Sequence, residues 1–441
     1  MQSLEYQLER MKNLLGSVKA ASKYGKVVRS VGTLIEGVGL NANVGDVCEV
    51  ITGQGANTIK AEVVGFNNGV VQLSPFGPIN GVGSQSLIKK AGNQANVKVG
   101  EELLGRVIDG LGNPIDGRDI KLGNAEYPLY AETISPLKRE RITDVIDVGV
   151  RAINGLLTMG KGQRMGIFAG SGVGKSTLLG MIARYTTADV NVIALIGERG
   201  REVREFLERD LGEEGLQRSV VVVATSDQAP PLRIRGAYLA TTIAEYFRDR
   251  GKDVILMMDS VTRFAMAGRE VGLASGEPPT TKGYTPSVFA HLPKLLERAG
   301  NAGKGGSITG IYTVLVEGDD FDEPIADTMR SILDGHIVLS RQLAHERHFP
   351  AIDVLQSISR LAPDLMDSRH SSLAGELIKN LAVYRNSEDM IKIGAYVKGT
   401  NPETDRAISL IDKINQYLRQ DVEEASDFSD SVKRLGQIFD E

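Results

Sequence analysis

The stretch 169–177 constrains the fold of this chain more than any other feature of the sequence. Its residues are Ala169-Gly170-Ser171-Gly172-Val173-Gly174-Lys175-Ser176-Thr177. An apolar run (165–168) precedes the stretch and a helical pattern of apolar residues (178–182) follows it. A strand, a glycine-rich turn, Lys-Ser and a helix form the layout of a phosphate-binding P-loop, with Ala169 in place of the motif's first glycine. Glycines let successive N–H groups converge on an anion, and the helix N-terminus adds free donors, so the pattern predicts a nucleoside triphosphate site in an α/β domain.

Composition limits the class of protein. A chain of 441 residues exceeds one compact core and predicts two to four domains. Hydrophobic content of 41% and charged content of 24% are ordinary for a soluble globular protein, and no apolar run approaches the roughly 20 residues of a membrane span. The net charge of −5 gives no indication of a nucleic-acid partner, and the lone Cys48 fits a reducing compartment. We therefore expect a cytoplasmic protein with no signal peptide and no zinc site.

Hydrophobic patterning predicts four segments. Residues 1–20 predict an amphipathic helix, residues 21–93 a small closed β-barrel or sandwich, residues 94–360 a parallel sheet covered by helices on both faces, and residues 361–441 a helical domain. The expected strands of the sheet are Met165–Phe168, Val192–Ile196, Val220–Val223, Val254–Met258 and Ile308–Val316. The run 105–117 is interpreted as tight turns that lead out of the barrel. The apolar stripe of the first helix (Leu4, Leu8, Met11, Leu15, Val18) fits either packing on its own domain or docking to a partner or membrane surface.

Two carboxylates are expected to face the P-loop. Asp259 ends the apolar run 254–258, and the carboxyl end of a buried parallel strand is where α/β sheets bind ligands. There Asp259 and the Ser176 hydroxyl suit Mg²⁺, while Lys175 reaches the β- and γ-phosphates. Glu198 follows the strand 192–196 and could polarise the water that attacks phosphorus, although the charge-rich run after it also fits a solvated helix.

The position of two further residues in the sequence does not decide their roles. Phe349, which precedes a proline, fits either an aromatic plate for adenine or a core residue. Arg360, in the sequence Ser-Ile-Ser-Arg, fits either a surface charge or an arginine that stabilises the transition state.

The assembled motifs resemble the α/β-type ATPase superfamily, which includes rotary ATP synthase subunits and type III export ATPases. The motifs that carry the resemblance are the P-loop 169–177, Gly197–Arg199, Met258–Arg263, Pro350–Asp353 and Ser357–Arg360, in that order. The layout of that superfamily is an N-terminal β-barrel, a RecA-like nucleotide domain and a C-terminal helical domain. The stretches 276–289, 317–320 and 333–341 resemble the export branch, and Thr281-Lys282-Gly283 is more like flagellum-specific type III export ATPases than those of virulence injectisomes.

The resemblance implies a role for individual residues of this chain. It implies that Lys175 binds phosphate, that Ser176 and Asp259 hold Mg²⁺, and that Glu198 positions the attacking water. It further implies that Arg199 senses the γ-phosphate, that Arg360 reaches the site of the neighbouring subunit, and that Phe349, where the family usually has tyrosine, stacks on adenine. The P-loop residues that would cradle ATP are Gly170, Ser171, Gly172, Val173, Gly174, Lys175, Ser176 and Thr177.

The resemblance also implies an activity and partners. It implies a Mg²⁺-dependent ATP hydrolase that forms a homohexamer and energises the export of flagellar proteins at the cytoplasmic face of the inner membrane. The implied partners are a regulatory coiled-coil protein on the N-terminal helix, a central stalk protein, the membrane export gate, and export cargo with its chaperones. The alternatives are an injectisome type III secretion ATPase, a catalytic subunit of a rotary ATP synthase, a silent nucleotide-binding ring subunit and an RNA translocase.

Overall fold

A computed structural model describes residues 23–52, 57–91, 96–302, 305–316, 318 and 320–440. The amphipathic helix expected at residues 1–20 therefore lies outside the described residues. The chain divides into two compact units, residues 1–95 and residues 96–441.

The first unit is a closed antiparallel barrel with the strand order β1-β2-β5-β4-β3-β6, in which β6 pairs back onto β1. Its strands are β1 (Tyr24–Val31), β2 (Leu34–Val38), β3 (Val47–Ile51), β4 (Thr58–Asn67), β5 (Val70–Pro75) and β6 (Leu87–Lys90). Ile35, Val63, Leu73 and Ile88 fill the interior and are fully buried. Closure pairs the strand edges, and alternate residues can then point into one small core. The expected N-terminal barrel is confirmed.

The second unit contains the remaining strands. They are β7 (Asn96–Lys98), β8 (Arg106–Asp109), β9 (Glu126–Pro128), β10 (Val145–Ile146), β11 (Met159–Gly160), β12 (Arg164–Ala169), β13 (Val190–Ile196), β14 (Ser219–Ala224), β15 (Asp253–Asp259), β16 (Gly300–Ala302), β17 (Gly306–Leu315), β18 (Gly335–Leu339) and β19 (Ile358–Ser359). β7 pairs with β9, and β10 pairs with β11, in small antiparallel sheets.

The α-helices of the second unit follow the strands in alternation and then run on to the C-terminus. They are α1 (Arg151–Leu156), α2 (Lys175–Tyr185), α3 (Gly200–Glu205), α4 (Gly212–Gln217), α5 (Pro230–Arg248), α6 (Val261–Ala274), α7 (Pro286–Leu296), α8 (Pro324–Ile332), α9 (Arg341–His345), α10 (Ala362–Leu365), α11 (Ser368–Lys392), α12 (Pro402–Leu418) and α13 (Phe428–Gln437). A short π-helix, Phe206–Leu211, joins α3 to α4.

The main sheet has the strand order β19-β18-β12-β17-β15-β13-β14-β8. Its strands are parallel from β18 to β8, whereas β19 and the side strand β16 are antiparallel to their neighbours. The five expected strands are all present, each within a few residues of its predicted bounds. The interpretation of 105–117 as turns was wrong for Arg106–Asp109, which form the edge strand β8, because a four-residue strand between glycines gives little periodic signal.

Helices cover both faces of this sheet. Alternate residues of β13 show the division, because Val192 and Ala194 pack with α5, α6 and α7, whereas Ile193 and Leu195 pack with α1, α2 and the C-terminal helices. Burial on both faces explains the continuous apolar runs in the sequence. The C-terminal helices α11, α12 and α13 contribute Leu377, Ile414 and Leu435 to the core on the face that α1 and α2 cover. In the described part of the chain no helix combines the length and the apolar character that a bilayer crossing requires.

A buried ion pair lies on the side of the sheet that α5, α6 and α7 cover, and its removal should lower the stability of the protein. Arg298 is 1% exposed, and its guanidinium donates to both Glu245 carboxylate oxygens at 2.9 and 2.6 Å, to Thr242 Oγ1 and to the Leu129 carbonyl. We expect Glu245→Leu to lower the free energy of unfolding by about 3–5 kcal/mol, because it leaves a buried charge without its counter-ion. Urea denaturation followed by circular dichroism measures the loss, and the double variant Glu245→Leu/Arg298→Met should lose less. A loss below about 1 kcal/mol for the single variant would contradict the prediction.

Candidate active site

The site lies at the edge of the sheet where the parallel strands end. The P-loop follows β12, Glu198 lies two residues beyond β13, and Asp259 is the last residue of β15. Leu195 of β13 pairs with Asp259, so β13 and β15 end within one residue of each other. Parallel strands have their carboxyl ends on one edge, which brings these three segments together.

The P-loop backbone has the shape of an anion cradle. Gly172 and Gly174 have φ of +77° and +90°, in the left-handed region where a side chain is strained. Nothing lies within 4 Å of the position that a Cβ at Gly172 would occupy, so this face of the turn is open. Gly174 directly precedes α2, whose first N–H groups have no acceptor within the helix. Free N–H groups, the helix dipole and Lys175 together fit a phosphate chain.

Three charged side chains meet beside the loop. Lys175 Nζ lies 2.5 Å from Asp259 Oδ1 and 3.5 Å from Glu198 Oε1. The Lys175, Glu198 and Asp259 side chains are 12%, 14% and 4% exposed, and Thr313 Oγ1 donates to Asp259 Oδ1 at 2.7 Å. The structure therefore brings together Lys175, Glu198 and Asp259 as expected, and adds Thr313, which no sequence motif marks because it lies inside the continuous strand β17.

Burial and mutual charge set the protonation of this cluster. Burial by itself lowers the pKa of Lys175, but the carboxylates of Asp259 and Glu198 outweigh it and hold that pKa above its ordinary value. Burial raises the pKa of Glu198 to about 7, opposed by Lys175 and assisted by Asp259. A carboxyl group with a pKa near the operating pH suits a general base. The Asp259 carboxylate and the Ser176 hydroxyl at the start of α2 are oxygen ligands of the kind that Mg²⁺ prefers.

The two arginines near Glu198 differ in placement. The side chain of Arg199 is 75% exposed, and its Nη1 lies 3.3 Å from Glu202 Oε1. Arg263 packs against Gly197, where a Cβ would lie 2.7 Å from Arg263 Cβ, and its Nε is buried and unpartnered among the described residues. An unpartnered guanidinium nitrogen on a side chain packed against Gly197 is a candidate donor to an anion. Arg263 belongs to the motif Met258–Arg263, but its position in an ordinary helical pattern gave it no role of its own from the sequence.

Phe349 lies beside the P-loop. Its Cδ1 and Cε1 atoms are 3.7 Å from the position that a Cβ at Gly174 would occupy, and the residue is 43% exposed. An exposed ring next to the phosphate cradle has a free face for a flat base. This placement favours the adenine plate over the core residue among the two interpretations of Phe349.

Arg360 lies on the opposite edge of the sheet. Its N–H donates to the Asp334 carbonyl at 3.0 Å, and the Asp334 N–H donates to the carbonyl of Arg164, the first residue of β12. The glycine turn of the P-loop follows Ala169, the last residue of β12, a six-residue strand that spans about 20 Å. The guanidinium of Arg360 is exposed and donates to the Arg330 carbonyl at 3.1 Å. Arg360 is therefore too far away to reach the P-loop of its own chain.

Comparison with known families supports the nucleotide site. Residues 149–359 match the nucleotide-binding domain of the ATP synthase alpha/beta family. Residues 366–437 match the C-terminal domain of the type III secretion ATPase EscN. Together these matches cover most of the second unit.

Similar proteins are found over nearly the whole chain. The flagellum-specific ATP synthase of Bacillus subtilis is 54% identical, over 94% of this chain and 95% of its own length. The type 3 secretion system ATPase of Xanthomonas euvesicatoria is 49% identical, over 99% of this chain and 98% of its own length. The assembled ATPase EscN of enteropathogenic Escherichia coli superposes with a TM-score of 0.89 at 48% identity, over 94% of this chain and 99% of that one.

Proposed function

The chain belongs to the family of flagellum-specific ATP synthases and type III secretion ATPases, and from this premise we propose that it hydrolyses ATP to drive the export of flagellar proteins. Relatives named as flagellum-specific ATP synthases are 54% and 51% identical to it, which supports the flagellar branch. The observation that carries the enzymatic part is the meeting of Lys175, Glu198 and Asp259 beside an open P-loop.

The chemistry is positioning and charge stabilisation. The N–H groups of the P-loop and Lys175 bind the phosphates, and Lys175 exchanges its contact with Asp259 for one with the γ-phosphate. Ser176 and Asp259 would hold Mg²⁺, which would supply positive charge to neutralise the phosphates. Glu198 in its carboxylate form orients the attacking water and accepts its proton. Arg199 turns from Glu202 to the γ-phosphate, and Phe349 stacks on adenine.

Because of its position, Arg360 can reach a nucleotide site only in a second copy of the chain. One chain carries both the P-loop and Arg360, but on opposite edges of the sheet, so one copy can supply Arg360 to the site of the next. A repeated head-to-tail contact of this kind gives a ring when its rotation closes. We propose a homohexamer, which is supported by the likeness to the assembled ATPase EscN.

The proposed ring makes activity depend on assembly. We expect Mg²⁺-dependent phosphate release per subunit to rise with protein concentration and to level off once the oligomer is complete, because an isolated chain lacks the arginine of its neighbour. Phosphate release and light scattering, measured on the same dilution series, give the rate and the oligomeric state. As a control, the affinity for a fluorescent ATP analogue should change little over the same range, since the phosphate cradle lies within one chain. A rate per subunit that stays constant from monomer to oligomer would exclude a site completed by the neighbouring copy.

The proposal extends to partners and location. A central stalk protein in the ring is supported by the structure of EscN with its central stalk EscO, which superposes with a TM-score of 0.87. We further propose that residues 1–20 bind a regulatory coiled-coil protein and that the C-terminal helices receive export cargo and chaperones. The complex would act at the cytoplasmic face of the inner membrane, against the export gate.

A further inference from the structure

The position of Phe349 depends on the segment that follows α12. Phe349 is 43% exposed, so packing covers little more than half of its surface. Its carbonyl accepts a hydrogen bond from the Gln420 N–H at 3.0 Å. Gln420 lies two residues beyond α12, so a C-terminal segment holds the residue that lies beside Gly174 of the P-loop.

The side chain of Gln420 fixes this segment to the start of α1. Gln420 is 4% exposed, and its Oε1 accepts from the Arg151 N–H at 2.7 Å. Its Nε2 donates to the Gly149 carbonyl at 2.8 Å and to the Glu424 carbonyl at 2.7 Å. The amide thus uses its oxygen and both of its hydrogens in hydrogen bonds. Removal of the amide would take their side-chain partner from the buried Arg151 N–H and from the Glu424 carbonyl, whereas the Gly149 carbonyl would keep its bond from the Ser426 N–H.

The guanidinium of Arg151 holds the same segment from the other side. It is 4% exposed and donates from Nε to the Tyr417 carbonyl at 2.7 Å, from Nη2 to the Arg419 carbonyl at 2.5 Å, and from Nη1 to Glu424 at 2.6 Å. The carbonyls of the last turn of α12 are free for such bonds. The segment 417–424 is therefore bound to the start of α1 through the backbone N–H and the guanidinium of Arg151 and through the side-chain amide of Gln420.

We propose that Gln420 is a positioning residue for ATP binding, which acts by holding Phe349 at the height of the base above the P-loop. The inference rests on the proposed function and deepens it, because it assigns part of the affinity for ATP to the C-terminal helical segment. Displacement of α12 would move the Phe349 carbonyl together with Gln420. The phosphate cradle, which is built from the P-loop and α2, would stay in place.

Two ligands separate the proposed role from a general loss of structure. ATP carries the base and the phosphates, whereas tripolyphosphate carries only the phosphates. We expect Gln420→Met, which keeps the length of the side chain and loses its polar bonds, to raise the KM for ATP by about tenfold with kcat changed less than about twofold. The inhibition constant of tripolyphosphate should stay at the wild-type value, because that ligand does not contact Phe349.

His370 provides a matched control. It is 2% exposed, and its Nε2 lies 2.8 Å from the Gly155 carbonyl, so it also joins the C-terminal helices to α1, and among the described residues it makes no hydrogen bond to Phe349. His370→Met should lower the thermal midpoint by an amount similar to that for Gln420→Met and leave the KM for ATP unchanged. Should Gln420→Met fail to fold, Gln420→Asn keeps the amide, withdraws it by one methylene and supports the same comparison.

A double-mutant cycle tests the path through Phe349. If Gln420 acts through Phe349, Gln420→Met should add little to the KM of Phe349→Ala, because the ring that it positions is already gone. Equal weakening of ATP and tripolyphosphate by Gln420→Met, or an unchanged KM for ATP, or full additivity with Phe349→Ala, would overturn the proposal. Failure of the proposed function gives a different result, since the wild-type protein would then neither hydrolyse ATP nor bind tripolyphosphate.

Discussion

Replacement of Arg360 with alanine is expected to lower the rate of ATP hydrolysis by about 10³–10⁵-fold, equivalent to roughly 4–7 kcal/mol of transition-state stabilisation. The expectation rests on a guanidinium that is exposed, reaches no phosphate site of its own chain, and is available to the next copy in a ring. ATP binding should change far less, since Lys175 and the P-loop stay intact. Arg360→Lys should recover only part of the rate, because a lysine lacks the planar fork of donors.

A mixing experiment tests whether Arg360 acts between subunits. Arg360→Ala and Lys175→Ala should each be inactive alone, whereas a mixture of the two should regain activity. In a randomly mixed ring, about a quarter of the interfaces pair an intact P-loop with an intact Arg360. Arg406→Ala is a suitable control, because Arg406 is an exposed arginine that pairs with Glu376 on the C-terminal helices. Two inactive variants that stay inactive when mixed, although light scattering shows joint assembly, would contradict action between subunits.

Replacement of Glu198 with glutamine is expected to lower kcat by about 10²–10⁴-fold while ATP binding persists. Glutamine keeps the size of the side chain and resembles its protonated form, which cannot accept a proton from water. The carboxylate lies 3.5 Å from Lys175 and is largely buried, so it faces the phosphate site rather than solvent. Single-turnover hydrolysis and equilibrium binding of a fluorescent ATP analogue separate the two effects.

A neighbouring glutamate serves as the control for Glu198. Glu205 is the last residue of α3, the helix that begins two residues after Glu198; its side chain is 56% exposed and pairs with Arg201. Glu205→Gln should therefore leave turnover unchanged, which excludes an effect of charge removal alone. Turnover near the wild-type rate in Glu198→Gln would remove this residue from the mechanism and leave the proton of the water without an acceptor.

The sequence predicted the parts of the site that depend on local backbone conformation. The P-loop is one contiguous motif in which glycines permit the turn and the apolar runs on either side define a strand and a helix. Asp259 and Glu198 could be selected because each follows a buried strand, and α/β sheets bind ligands at such positions. The sequence contains no comparable indication for Thr313 or Arg263, because Thr313 lies within a continuous strand and Arg263 lies in an ordinary helical pattern.

The sequence by itself thus determined that the chain has a phosphate cradle, which acids stand at strand ends, and that a barrel, a parallel sheet and helices follow one another. Only the tertiary structure decided which of these residues meet. The order β12-β17-β15-β13 places Asp259 and Glu198 within reach of Lys175, whereas the antiparallel β19 carries Arg360 to the far edge. The hydrogen bonds of Gln420 to Phe349 and to the start of α1 likewise join residues far apart along the chain. Periodicity and motif spacing record local conformation, while the pairing of distant segments depends on packing that no local pattern encodes.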